Sequence, residues 1–224
     1  MLQRILYCFW FGGEMSENRK KCYNSILDVS NVDVQLITDE NLNDYVLPDY
    51  PLHPGFVFLS DTHKSDYLRS YFMYHYGGGY TDIKICKFDW NPYFEILEQS
   101  DKSFAGCPQY SPKHIAYKPY KQHYDKLVGC TNFIFKKHSK FGKLWHDCTN
   151  DVIDLKLPLL KEHPGRYHPR AVLGGVQGEP GIFIESLYPF RWTDLLGKIF
   201  HKLQYENVGD FLYNVPFPDV TDYR

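Results

Sequence analysis

The sequence lacks the features that mark most specialised classes of small protein. Its six cysteines form no CxxC pair and no closely spaced group, so neither a zinc knuckle nor a disulfide framework is expected. With 25 Lys and Arg against 27 Asp and Glu, the net charge is only −2. Because nucleic acids are bound by concentrated positive charge, we expect no nucleic-acid partner.

Long apolar stretches are also missing. No segment approaches the roughly 20 apolar residues that a transmembrane helix needs. The apolar opening, residues 1–11, is followed by Gly12-Gly13 and a charged segment instead of a small-residue cleavage site, which indicates a buried first strand and not a signal peptide. We therefore expect a cytoplasmic protein without a transmembrane segment, and peripheral membrane association is left open.

Aromatic residues are abundant instead, with 19 Tyr, 16 Phe and 4 Trp in 224 residues. Tyrosine and tryptophan combine a flat apolar face with a polar tip, which suits stacking on sugars and bases. A tyrosine-rich core and surface is the plainer interpretation of the same composition. A chain of this length with 43% hydrophobic residues can bury a core without staples, so we expect one domain spanning residues 1–224.

The order of the early segments indicates an α/β fold. An apolar run over 1–11, a polar helix pattern over 14–27 and an alternating pattern over 32–38 form a strand–helix–strand unit. Such units build parallel sheets covered by helices, and ligands gather at the carboxyl ends of the strands. Further along the chain we expect a loop at 43–54, a helix at 60–76 and strands at 80–86, 103–107 and 132–135. A helix at 139–155, a long loop at 162–189 and a last helix at 193–203 follow.

Charged residues cluster around the turn between the helix at 60–76 and the following strand. Helical periodicity places Asp66 and Arg69 on one face, and strand alternation places Asp82 and Lys84 on one side. If these side chains converge, they form a polar cleft for a phosphorylated ligand. Taken alone, the three glycines at 77–79 are an ordinary helix stop, and Asp66 with Arg69 is an ordinary helical ion pair.

Residues 64–84 resemble the S-D-x-x-R, G-G, Y-x-D-x-D block of glycosyltransferases with a DxD sugar-binding region, a group that includes bacterial capsule-synthesis proteins. Residues 7–12 are similar to the first strand of that group, and 188–192 and 199–202 to the tail of its capsule-type members. The resemblance implies a Rossmann-like GT-A fold with a mostly parallel central sheet. It also implies a donor-binding part near 1–110, an acceptor part near 111–224, and transfer of a hexose from a UDP- or GDP-sugar to a glycan acceptor with retention of configuration.

The resemblance further assigns roles to single residues. Asp66 would hold the nucleoside, Arg69 the donor, and Asp82 the donor sugar and ribose. The neighbouring Gly78 and Tyr80 belong to the same donor-binding set. Three more candidates for donor binding lie outside the block: Trp10, His201 and Lys202.

These three candidates have plainer alternatives. Trp10 is either a stacking platform for the base or a core residue. His201 and Lys202 either approach the diphosphate or are cations near a helix C-terminus.

One position departs from the group's pattern. The second acid of DxD, which ligates a divalent cation, is replaced by Lys84. An ammonium cannot bind a metal, but it can lie against a pyrophosphate as a point charge. We therefore expect Asp82 to be at most a partial ligand and Mn²⁺ or Mg²⁺ dependence to be weak. The alternative is a protein that binds nucleotide sugars or glycans and has lost catalysis.

Two further motifs are ambiguous. The glycine-rich segment 174–181 fits neither a P-loop nor a dinucleotide fingerprint, and is either an active-site loop or a plain connection. His163 and His168 are more typical of a surface loop than of a metal site.

Overall fold

The fold begins with strand β1, Ile5–Phe9, which pairs in parallel with one strand on each side. The computed structural model describes residues 2–115, 117–165, 187–219 and 221. Among these, the other strands are β2 to β6, at Asp33–Ile37, Gly78–Thr81, Phe104–Pro108, Val128–Phe135 and Phe211–Leu212. The helices are α1 to α5, at Glu17–Val29, Asp61–His75, Asn91–Gln99, Lys140–Glu162 and Gly197–Glu206. Short 3-10 helices lie at Leu42–Tyr45, Phe56–Phe58, Pro112–His114 and Lys118–Lys126.

The six strands form one mixed sheet in the order β2-β1-β3-β5-β4-β6. The predicted parallel arrangement holds for β1 with β2 and β3, and for β4 with β6. However, β5 runs antiparallel to both of its neighbours, β3 and β4. The sheet is therefore α/β as expected but not purely parallel.

Both faces of the sheet are covered by helices. Leu6 and Cys8 of β1 belong to a core with α1 and α3, whereas Tyr7 and Phe9 belong to a larger core with α2, α4 and α5. A strand buried on both faces needs a continuous apolar sequence, which is why β1 shows no alternation. Of the described residues, no helix is both long and apolar enough to cross a bilayer.

The chain reverses its winding direction between β1 and β3. From β1 it passes through α1 to β2 on one side, and from β2 it returns through α2 on the opposite face to β3 on the other side. In such sheets the strand order opens a crevice at the carboxyl ends of the two strands that flank the reversal, and ligands bind there. The carboxyl ends of β1 and β3 are followed by Trp10 and Asp82.

Helix α2 is buried on both sides. Ser60 caps it by accepting a hydrogen bond from the backbone N–H of His63, as its sequence predicts. Phe72 packs against the sheet through Tyr7 and Phe9, while on the other side Ser70 Oγ lies 3.2 Å from Nδ1 of His146 on α4. The side of α2 that carries Asp66, Arg69 and Ser70, which helical periodicity predicts to be polar, therefore faces the protein interior and not solvent.

The strand after the glycines is shorter than predicted. The sequence placed it at residues 80–86, but β3 ends at Thr81, and the chain turns with Lys84 N–H donating to the Asp82 carbonyl at 2.7 Å. Gly77, with φ of +70°, ends the helix. The next two glycines belong to β3 itself. They lie so close to β1 that a side chain at either position would collide with it.

Other element boundaries also differ from the prediction. Strand β5 begins at Val128, four residues before the predicted start at 132, and α4 extends to Glu162 although Pro158 lies inside it. Helix α5 begins at Gly197 and not at 193, and the short β6 was not predicted. Most of the predicted loop 162–189, including His168 and residues 174–181, lies outside the described residues.

Candidate active site

Four charged side chains meet where β3 ends. Arg69 of α2 places Nη2 at 3.3 Å from Oδ1 of Asp82, and Lys84 places Nζ at 2.9 Å from Oδ2 of the same carboxylate. Asp66, one turn before Arg69, lies 3.7 Å from the Arg69 Nη1 atom. We call Asp66, Arg69, Asp82 and Lys84 the charged cluster. The approach of α2 to β3 that the sequence suggested is thus present in the structure.

Asp82 is the centre of the charged cluster. Besides its two cationic partners, Oδ1 accepts a hydrogen bond from the Tyr80 hydroxyl at 2.8 Å. Its side chain keeps 22% of its surface exposed, against 11% for Lys84 and 5% for Asp66. Asp82 is therefore the most accessible acid of the cluster, at the carboxyl edge where a ligand can reach it.

Arg69 is held rigidly beneath this carboxylate. Its Nη1 donates to the carbonyl of Cys130 on β5 at 3.0 Å, and its guanidinium carbon lies 4.4 Å from the centre of the Tyr80 ring. Stacking of this kind orients the planar guanidinium and favours its charge. Among the described residues, the buried Nε of Arg69 has no hydrogen-bond partner.

Burial and charge act in opposite directions on the two acids. Burial alone would raise the pKa of Asp82, but Lys84 and Arg69 together outweigh it, so the pKa is lowered and the carboxylate is ionised at neutral pH. For Asp66, burial raises the pKa to about 7 although Arg69 opposes the shift. Burial also raises the pKa of Tyr80, whose hydroxyl therefore keeps its proton and donates to Asp82.

Neighbouring backbone contacts fix the position of Asp82. Its N–H donates to the carbonyl of Thr131 at 2.9 Å, which extends the β3–β5 ladder by one residue. The preceding Thr81 donates through Oγ1 to Asn132 at 2.9 Å, and Asn132 in turn donates to the Pro216 carbonyl at 3.2 Å. No local sequence pattern points to Asn132 as a supporting residue, because only the antiparallel register of β5 brings it here.

Trp10 lies at the same edge of the sheet, at the end of β1. Its backbone N–H donates to the Ile37 carbonyl at 2.9 Å, and its indole donates to Gly13 at 2.6 Å. The half-buried ring has the guanidinium of Arg19 at 5.9 Å from its centre. Arg19 also donates to the Ile83 carbonyl at 2.5 Å, so it links α1 to the turn after Asp82. No sequence signal had identified Arg19.

The remaining predicted residues are dispersed. Gly78 begins β3, four residues or about 13 Å along the chain from Asp82, and a Cβ there would lie 2.8 Å from the Ile5 carbonyl oxygen. It serves close packing of β1 and β3. His201 is buried with Nε2 at 3.5 Å from the Cys130 sulfur, next to the carbonyl that Arg69 contacts. Lys202 faces away, is 58% exposed and pairs with Glu206.

The side chains of the charged cluster do not form a set of ligands for a divalent cation. Both carboxylate oxygens of Asp82 are taken by the hydroxyl and cationic donors above, and the ammonium of Lys84 lies where a second carboxylate would be needed. In the part of the chain that the structure describes, no group of three or more His, Cys, Asp or Glu side chains is placed to hold a metal ion.

Comparison with known proteins assigns the chain to a family. Residues 1–151, which run from β1 into α4 and include the whole charged cluster, match the family described as capsular polysaccharide synthesis protein. The chain belongs to this family. The resemblance inferred from residues 64–84 is thereby confirmed at the level of the family, although the sequence at the DxD position reads Asp82-Ile83-Lys84.

The fold of this family member is similar to that of a solved structure entitled PaToxG Glycosyltransferase. The TM-score is 0.50 at 13% identity, and the match covers 92% of this chain and 70% of that chain. No curated protein sequence matches the chain. The structural likeness concerns the fold alone.

Proposed function

We propose that this chain is a glycosyltransferase that moves a hexose from a nucleotide-diphosphate sugar to a glycan acceptor, with retention of configuration. The observation that carries the proposal is the convergence of the charged cluster at the carboxyl end of β3, in a chain of the capsular polysaccharide synthesis family. This edge, beside the reversal between β1 and β3, is where sheets of this topology bind their ligands.

The charges of the cluster suit the donor. When the bond between the sugar and the diphosphate breaks, its electron pair leaves with the diphosphate, and negative charge grows on the leaving oxygen. Lys84 supplies a point charge that moves from Asp82 to the pyrophosphate when the donor binds. The Asp82 carboxylate is then released from one cation and accepts hydrogen bonds from hydroxyls of the donor.

The rest of the reaction needs no proton acceptor from the protein. The acceptor hydroxyl forms the new bond to the anomeric carbon on the face that the diphosphate leaves, and its proton passes to the departing phosphate oxygen. Arg69 stays in place between Asp66 and Asp82 and keeps both acids oriented. A buried, rigid guanidinium of this kind preorganises the site, so that little rearrangement is required during the reaction.

Replacement of Asp82 tests the proposal. We expect Asp82→Asn to lower transfer at least 100-fold, because a neutral amide neither holds Lys84 nor orients the donor. The matched control is Asp101→Asn, an 84% exposed carboxylate at the opposite edge of the sheet, which should leave transfer unchanged. Turnover is measured over a panel of UDP- and GDP-sugars with circular dichroism as a check of folding.

Lys84→Gln is a second test of the proposal if Asp82→Asn is poorly folded. This variant should weaken both donor binding and transfer. Unchanged transfer in both variants would contradict the proposal. Thermal stabilisation of the wild type by a donor, without turnover on any acceptor, would instead favour the non-catalytic binding protein that the presence of Lys84 suggests.

A further inference from the structure

The connection between β4 and β5 lies at the same edge of the sheet as the charged cluster. Strands β3 and β4 are both antiparallel to β5, so they point the same way and their carboxyl ends share one edge. Neighbouring antiparallel strands can be joined by two residues. Here β4 ends at Pro108 and β5 begins at Val128, so the connection is much longer than the pairing of the two strands requires.

This connection concentrates positive charge that the net charge of the chain conceals. Residues 110–126 contain four lysines, four tyrosines and two histidines but a single acid, Asp125. The segment therefore carries 4 − 1 = +3, while the whole chain carries −2. We call residues 110–126 the tyrosine–lysine segment.

The side chains of this segment form a surface with α5. Tyr117 precedes the 3-10 helix Lys118–Lys126, and its ring centre lies 5.6 Å from that of Tyr120. Within the helix, Lys118 and Lys121 are three residues apart and therefore lie above one another, before the kink at His123. Tyr120 and His123 pack on Tyr205 of α5, with ring centres 5.6 and 4.4 Å apart.

Charged and polar groups complete this surface. The ammonium of Lys198, also on α5, lies 5.6 Å from the centre of the Tyr117 ring. Tyr110, at the start of the segment, keeps 67% of its surface exposed. The result is a set of partly exposed aromatic rings, one of which has beside it the ammonium of Lys198, which also pairs with Asp194.

Helix α5 attaches this surface to the charged cluster. Gln204 accepts a hydrogen bond from the Val128 N–H at 2.7 Å and donates to its carbonyl at 3.4 Å. Thr131, the backbone partner of Asp82, follows Val128 by three residues, or about 10 Å along the strand. The end of the tyrosine–lysine segment and Asp82 therefore lie at the same edge of the sheet, on neighbouring strands.

We propose that the tyrosine–lysine segment, with the exposed face of α5, binds an anionic glycan, which is the acceptor of the transfer proposed above. The tyrosine faces would stack on sugar rings and the lysines would pair with carboxylate or phosphate groups. A membrane fits less well, because the two branched aliphatic side chains of the connection, Ile115 and Leu127, are buried, whereas insertion into a bilayer needs exposed apolar groups.

The test compares charged and neutral forms of the same glycan. Oligogalacturonate, hyaluronan fragments and oligosialic acid are titrated by calorimetry, each beside its carboxyl-methylated form. We expect at least one acid form to bind at least tenfold more tightly than its methyl ester. Lys118→Gln with Lys121→Gln should weaken that binding about fivefold, as expected for two partly exposed ion pairs.

Controls separate this inference from the proposed function. Lys137→Gln with Lys140→Gln makes the same charge change beyond the opposite end of β5 and should leave glycan binding unchanged. Donor binding by the Lys118/Lys121 variant should also equal that of the wild type, because both lysines lie outside the charged cluster.

Several outcomes would overturn the inference. Charge on this segment plays no part if every glycan binds equally tightly in its acid and methylated forms. The same conclusion follows if the Lys137/Lys140 control loses as much glycan affinity as the Lys118/Lys121 variant. Binding that is stronger to phosphatidylglycerol vesicles or to a single-stranded DNA oligonucleotide, and that is lost in the Lys118/Lys121 variant, would assign the surface to a membrane or a nucleic acid. Absence of donor binding by the wild type would instead count against the proposed function.

Discussion

At the scale of single residues, Lys84 distinguishes the charged cluster from a pair of carboxylates that could hold a metal ion. Two carboxylates at positions i and i+2 could share a hard cation, but the chain has one carboxylate and one ammonium, 2.9 Å apart. In the proposed function, the ammonium would supply the positive charge that a divalent cation would otherwise bring. Transfer by the wild type should accordingly be insensitive to EDTA.

Lys84→Asp should reverse this behaviour. With a second carboxylate beside Asp82, we expect Mn²⁺ to raise the melting temperature of the variant and EDTA to remove the effect. Lys84→Gln is the matched control, since it loses the ammonium without gaining a metal ligand, and it should not respond to Mn²⁺. Loss of wild-type transfer in EDTA would contradict the interpretation of Lys84.

At the scale of elements, the short strand β3 depends on glycines that lie against β1. Gly78 has φ of +83°, and a Cβ there would be 2.8 Å from the Ile5 carbonyl oxygen and 3.3 Å from the Tyr7 ring. Gly13 also has positive φ, +101°, but a Cβ at Gly13 would have no atom within 4 Å. Comparing substitutions at the two glycines therefore distinguishes the cost of backbone strain from the cost of crowding.

Alanine substitutions should reveal this difference. Gly13→Ala should cost about 1–2 kcal/mol of unfolding free energy, the cost of a left-handed conformation for a residue with a side chain. Gly78→Ala should cost at least about 2 kcal/mol more, because strands β1 and β3 must also move apart. Urea denaturation measures both values, and equal costs would show that crowding at β3 is unimportant.

At the scale of the whole molecule, buried histidines make stability depend on pH. Burial lowers the pKa of His63, His75, His146 and His201 to about 4. The unfolded chain binds protons at these groups near pH 6.5, so between pH 6.5 and 4 it holds more protons than the folded chain, and stability falls as the pH falls. Asp66, with its raised pKa, acts in the opposite direction, but it is one group against four.

His146→Gln should reduce this dependence on pH. His146 lies 3.2 Å from Ser70 Oγ and 3.2 Å from Asn150 Nδ2, contacts that an amide can partly replace. We expect the slope of unfolding free energy between pH 4 and 6.5 to drop by up to about 1.4 kcal/mol per pH unit. His114→Gln, at an exposed site, is the control. Equal slopes for wild type and His146→Gln would contradict the prediction.

The sequence by itself determined the features that depend on local pattern. The cap at Ser60, the start of α2, the opening β1-α1-β2 unit and the spacing of Asp66, Arg69 and Asp82 all follow from residue order, because capping and periodicity act over a few residues. Family membership was likewise readable from residues 64–84.

Only the tertiary structure decided what depends on residues distant in sequence. Strand β5 is antiparallel because of its partners in the sheet, and that register brings Asn132, Thr131 and Cys130 to the charged cluster. β3 stops at Thr81 because the chain turns at Asp82, although the alternating pattern continues. Packing also turned the polar side of α2 inward and brought Lys198 and Tyr205 of α5 against the tyrosine–lysine segment, since contacts between elements distant in sequence leave no periodic signal in the chain.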